Sequence, residues 1–150
     1  MQEAILLSLK GMEENEGGPF GCVIVKDDVI IGRGNNKVTS TNDPTAHAEI
    51  VAIRDACKNL GTYQLDGCEV YTSCEPCPMC LGAIYWARPS MIYFANNRQD
   101  AAHIGFDDSM IYDEMSAEIE KRKIPIHSLS REEALKVFIS WKNKVDKTAY

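Results

Sequence analysis

No apolar run in this sequence approaches the roughly 20 residues that a membrane-spanning helix needs. Basic residues are also outnumbered: 16 Lys and Arg stand against 22 Asp and Glu, for a formal net charge of −6. A chain that grips a polyanion normally carries the opposite sign, so neither nucleic acid nor an anionic membrane surface is expected as a partner. The opening MQEAILLSLKGMEENEGG has neither a basic region ahead of its apolar stretch nor a small-residue cleavage site, so no secretory signal is read there. Internal repeats, low-complexity tracts and linkers are absent. Six cysteines are present among 150 residues. A chain of that length buries about two thirds of its surface and needs no disulfide staples, so reduced thiols or a metal site are expected. With 45% hydrophobic and 25% charged residues, the composition is that of a single globular domain spanning 1–150. The expected location is the cytoplasm.

Residues 2–15 place Ile5, Leu6, Leu9 and Met12 at helical spacing, ending before Gly17, Gly18 and Pro19. Two β-rich runs, 20–26 and 29–34, flank Asp27 and Asp28 and predict a tight hairpin. An amphipathic helix is predicted over 45–60, with Asp43 as N-cap, Pro44 in the first turn and Gly61 as the stop. A strand at 68–72, a helix from Pro78 to about Ala87 and a strand at 91–95 follow. Helical pieces at 97–103 and 109–121, a strand at 124–127 and a last helix from Ser130 to about Lys144 complete the reading, with Ser130 as its capping residue. A hairpin followed by alternating helices and strands implies a three-layer α/β/α fold with a mixed central sheet.

The chemistry concentrates in His47-Ala48-Glu49 and, thirty positions on, Cys74-Glu75-Pro76-Cys77-Pro78-Met79-Cys80. Zinc takes neutral imidazole and thiolate, and a catalytic site keeps three protein ligands. Cys77 and Cys80, three apart on a first helical turn, share a face, and Pro78 suits the first helical position. The positive end of the helix dipole favours both thiolates, and His47 supplies the third ligand. Glu49 is about 200° around a helix from His47, so both face one point only at a helix end. That arrangement leaves Glu49 free to shuttle protons rather than bind metal. The combination matches the H-x-E…P-C-x-x-C signature of zinc-dependent nucleobase deaminases.

The stretches GGPFGCVIV, TSTNDPTAHAEIVAIRDAC, YTSCEPCPMCLGAIYWARP and AAHIGFDDSMIYDEM resemble the cytidine-deaminase-like superfamily, and more closely its bacterial guanine deaminases. The likeness covers most of 17–115 and reaches the C-terminus. It implies a cytidine-deaminase-like fold, one Zn2+ per chain held by His47, Cys77 and Cys80, Glu49 as proton shuttle, and hydrolysis of guanine to xanthine and ammonia in purine breakdown. It further implies contact of Asn36 with the base and an acidic residue, Asp108, near the amino group. It also implies a homodimer in which a segment from about 128 to 150 is exchanged and Tyr150 closes over the partner's base site.

The residues themselves leave alternatives open. Asp107-Asp108-Ser109 also reads as a helix cap. Phe20 and Trp86 suit stacking on a flat purine base, yet either suits a core. Cys22, Cys57 and Cys68 read as small core residues, and Cys74 lies off the ligand spacing. A tRNA adenosine deaminase, or a cytosine or pterin deaminase, would carry the same motif. A zinc-stabilised binding module without turnover would normally close all four metal positions with Cys or His, whereas three candidates have workable spacing here.

Overall fold

In the computed structural model all of residues 1–150 are described. The hairpin forms as predicted, from β1 (Gly21–Lys26) and β2 (Val29–Asn35). Asp27 and Asp28 between them take φ of 49° and 62°, the left-handed pair that a two-residue hairpin turn requires. Strand β1 pairs antiparallel with β3 (Glu69–Cys74), and β3 pairs parallel with β4 (Met91–Asn96). The four strands lie in the order β2-β1-β3-β4, a mixed sheet. The helices are α1 (Gln2–Glu13), α2 (Val38–Thr41), α3 (Ala48–Leu60), α4 (Pro78–Ala87), α5 (Arg98–His103), α6 (Ser109–Ser116) and α7 (Arg131–Asn143).

Glycine lets helices approach both faces of the sheet. A Cβ at Gly21 would lie 2.1 Å from the Ala4 carbonyl oxygen of α1, and one at Gly34 would lie 2.2 Å from that of Ala48 on α3. The three-layer arrangement follows, with α1 on one face and α3 on the other. The core lies on the α3 side, where Cys22, Ile24, Ala52, Val70, Leu65 and Ile84 are buried. Each large aliphatic side chain there stabilises the fold by about 1.5–3 kcal/mol. Cys22 and Cys68 are fully buried core residues, Cys57 packs against them, and all six cysteines are free thiols. The outer edge of β2 is covered by α3: the Arg33 N–H donates to Asp55 at 2.9 Å, and Asn59 donates to the Ile31 carbonyl at 2.9 Å. Those contacts engage one donor and one acceptor that another strand would pair with.

Several boundaries differ from expectation, each for a local reason. The helix predicted from residue 45 begins at Ala48, because Asp43 caps its own turn: its Oδ1 accepts from the Thr45 N–H at 2.8 Å and the Thr45 hydroxyl at 2.7 Å. The strand predicted at 68–72 runs on to Cys74, paired with Asn96. The helix predicted over 109–121 stops at Ser116 and is followed by a 3₁₀ turn, Ile119–Lys121. Residues 124–127 do not join the sheet, since Pro125 lacks the N–H that a ladder position needs. Ser130 precedes α7 with φ of 52° and makes no capping bond, because an N-cap hydroxyl works from extended backbone.

The chain divides into two compact units, Met1–Ser109 and Met110–Tyr150. The first holds the whole sheet. In the second no residue is buried. No helix is long and apolar enough to cross a membrane.

The glycine contacts generate a test of the layer spacing. Gly21→Ala and Gly34→Ala should each lower the unfolding free energy by about 1–3 kcal/mol, the usual cost of overpacking, as measured by urea denaturation. Unchanged stability in both would show that the helices have room to retreat.

A candidate metal centre at two helix tips

His47 and Cys77 are the N-cap residues of α3 and α4. Both have extended backbone (φ −69° and −63°), and neither side chain caps its own helix. A Ser, Thr, Asp or Asn in such a place is worth about 1 kcal/mol, so these two caps forgo stability and turn their side chains elsewhere. They turn toward each other: Cys77 Sγ lies 3.6 Å from His47 Nδ1. Cys80, fully buried one turn into α4, completes a cluster whose ligand atoms all lie within 4.8 Å of one another. Tetrahedral zinc, with Zn–S of about 2.3 Å and Zn–N of about 2.05 Å, separates sulfur from nitrogen by about 3.6 Å. One imidazole and two sulfurs at this spacing fit zinc. Pro78 occupies the first turn of α4, as expected.

The electrostatics suit a cation. Cys77 is held down to about 4 by the thiol proton of Cys80, with burial opposing and His47 assisting. Cys80 is pushed far up by that same bond, by burial and by the charge of Glu49. The two sulfurs therefore share one proton, which a divalent metal would displace. His47 is raised mainly by Cys77. Glu49 is 6% exposed, and burial pushes its carboxyl up against hydrogen bonds from its own backbone N–H and the Thr72 hydroxyl. Its position in the first turn of α3, just past the non-helical His47, removes the 200° separation that would hold the two apart mid-helix.

Asn36 is buried directly after β2. Its Oδ1 accepts from the N–H groups of Gly18 at 3.3 Å and Val38 at 3.2 Å. Those two bonds engage the amide's oxygen and not its Nδ2 donor. Asp108 is half-buried, and its carboxyl is raised by burial and then by the charge of Cys77. Its neighbour Asp107 makes the local turn, accepting from the Ser109 N–H at 2.9 Å. Phe20 packs on the core and meets Phe106 edge to face, with ring centroids 4.9 Å apart. Cys74 is buried with its thiol 3.7 Å from the Asn97 carbonyl, apart from the ligand cluster.

Trp86 is 66% exposed on α4, on the side away from Cys80, Ile84 and Ala87. Tyr150 belongs to the second unit, where it lines a cavity of about 620 Å³ with Val137, Phe138, Trp141, Thr148 and Ala149. Two residues near the centre were missed from sequence. Phe106 follows Gly105 in a polar loop and gave no periodic signal. Thr72 did carry one: it shares the inward parity of Val70 on β3, a hydroxyl among apolar side chains.

Comparison with known proteins agrees with this geometry. Residues 1–96 match the cytidine and deoxycytidylate deaminase zinc-binding region. The chain is 55% identical over all 150 residues to the guanine deaminase of Bacillus subtilis, covering 96% of that protein. The X-ray structure of the same enzyme superposes with a TM-score of 0.97, covering 99% of this chain and 95% of that one. A tRNA-specific adenosine deaminase of Buchnera aphidicola is 38% identical over 88% of this chain and 85% of its own length. A guanine deaminase of Nitrosomonas europaea superposes with a TM-score of 0.68 at 34% identity, over 71% of this chain and 62% of that one. With both the zinc-binding region and a full-length relative matched, this chain belongs to the cytidine and deoxycytidylate deaminase family of zinc-binding proteins.

Proposed function

We propose that this protein is a guanine deaminase that hydrolyses guanine to xanthine and ammonia, acting in the cytoplasm in purine breakdown. The observation that carries deamination is the buried Glu49 carboxyl in the first turn of α3, two residues past His47 of the His47–Cys77–Cys80 cluster. Guanine as the substrate is supported by the end-to-end likeness to the Bacillus subtilis enzyme. The net charge of −6 argues against a polyanionic tRNA substrate.

Zinc, one per chain and held by His47, Cys77 and Cys80, would supply the Lewis acidity that brings a water's pKa toward neutrality. Glu49 takes a proton from the attacking water and gives it to the ring nitrogen beside the amino-bearing carbon. It then moves the second water proton to the amino group, which leaves as ammonia while the carbon–oxygen bond becomes the new carbonyl. Burial favours this alternation, since a carboxyl raised toward neutral pH both accepts and returns a proton readily. Asn36 donates from Nδ2 to an acceptor on the base. Asp108 accepts from guanine's amino and ring N–H donors, and Phe20 packs against the flat ring.

We also infer a homodimer in which residues from about 128 to 150 are exchanged, with the partner's Tyr150 completing each base site. In support, α7 carries Phe138 at 72% and Val137 at 66% exposure, an apolar surface that this chain does not bury by itself. Each exchanged tail would shield the base from water.

Ammonia release from guanine, adenine, cytosine, a pterin and an adenosine-containing tRNA tests the function: guanine alone should react. Rapid turnover of the tRNA with none of guanine would overturn the reading. Replacing either sulfur (Cys77→Ala or Cys80→Ala) should strip most zinc and nearly all activity, measured by metal analysis and ammonia release. Glu49→Gln should instead keep its zinc while turnover drops at least about a hundredfold, the low end for general acid–base catalysis. Deleting residues 148–150 should sharply weaken guanine turnover without changing zinc content or helical signal. Equal kinetics with and without those residues would remove Tyr150 from the site.

A further inference from the structure

We infer that Thr72 is a positioning residue for Glu49, its hydroxyl fixing the carboxylate in the orientation from which protons are moved. The inference rests on the proposed role of Glu49 and extends it to a residue outside the His-x-Glu and Cys-x-x-Cys motifs.

Thr72 lies in the centre of the sheet. Its strand is bonded on both sides, with Thr72 opposite Cys22 of β1 and Phe94 of β4, so its backbone has little freedom. The side chain is 1% exposed. Alternation along β3 turns it to the same face as Val70, the face on which Cys22, Ile24, Ala48 and Ala52 pack. That layer is otherwise apolar. A valine would fill nearly the same space there without burying a hydroxyl, and a buried hydroxyl is costly unless bonded. The bond it makes is to Glu49: Oγ1 donates to Oε1 at 3.0 Å, across 23 positions of sequence.

The consequence is geometric. A glutamate side chain has several rotatable bonds, and burial alone does not choose among its rotamers. Anchoring Oε1 to a strand bonded on both sides fixes the orientation of the carboxyl, and with it the geometry in which it meets the water and the base. Reactions at enclosed sites are sensitive to such placement, and an error of about 1 Å can cost about a hundredfold in rate. The hydrogen bond spans from the first turn of α3 to β3, so the helix that carries His47 and the strand that leads into the Cys77 loop are tied at the same point.

Thr72→Val removes the hydroxyl and keeps the branched shape and strand preference; Thr72→Ser keeps the hydroxyl and removes the methyl. With guanine as substrate, Thr72→Val should lower kcat at least about tenfold with KM changed less than about threefold, while Thr72→Ser restores kcat to within about threefold. Zinc content and Tm of Thr72→Val should match the wild type, and Thr72→Ala serves as the second hydroxyl-free variant should the valine fail to fold. Unchanged kcat in Thr72→Val overturns the inference. So does an equal loss in Thr72→Ser, or a loss of kcat that merely tracks lost zinc or lowered Tm, because the residue would then support the fold alone. A wild type inert on guanine overturns the guanine reading and this inference together, whereas an active wild type with an unimpaired valine variant overturns this inference alone.

Discussion

The approach of two helix N-termini, with Cys77 Sγ 3.6 Å from His47 Nδ1, is the constraint on which the rest of the centre depends. Each helix gives up an ordinary side-chain cap to put a metal-ligating atom at its tip. In exchange, two dipoles aim their positive ends at one point, which favours the thiolate form of Cys77 and a neighbouring carboxylate. Because His47 is a cap and not a helical residue, Glu49 can stand in the first turn behind it and still reach the same space. A longer first turn on either helix would carry the ligands apart.

The sheet holds those tips in register. Helix α3 can sit close enough only because Gly32 and Gly34 remove side chains from β2: a Cβ at Gly32 would lie 2.5 Å from the Ala52 carbonyl oxygen. Strand β3 then runs from the core, through Thr72, to the loop that presents Cys77, so one rigid element positions both the ligand loop and the hydrogen-bond partner of Glu49.

Much of this was legible in the sequence, for reasons that differ by element. The cluster was readable because ligand spacing and helix-start chemistry coincide at Cys77-Pro78, where a local rule and a chemical rule point to the same residue. The hairpin was readable from two β-rich runs two residues apart, and the mixed sheet from the helices and strands that alternate after it. Contacts set by tertiary register were not. Which of Asp107 and Asp108 makes the turn depends on backbone direction, and only the folded chain shows that Asp107 is the one bonded to Ser109. The start of α3 was misplaced because the Asp43–Thr45 turn competes with a helix for the same polar groups. Helix α4, Pro-Met-Cys-Leu-Gly-Ala-Ile-Tyr-Trp-Ala, is apolar on every side, so no stripe in it could tell that Trp86 lies outward. Thr72 shows the reverse case: its parity was visible, but its partner lies 23 residues away.

The central claim is that two sulfurs and one imidazole, brought together by two helix tips, form a zinc site with one position left for the reaction. X-ray absorption at the zinc edge of the purified full-length protein tests it most directly. The account predicts one zinc per chain with two sulfur neighbours near about 2.3 Å and two nitrogen or oxygen neighbours near about 2.0–2.1 Å. A shell of four sulfurs, a shell without sulfur, or protein that binds no zinc when the metal is supplied would contradict it.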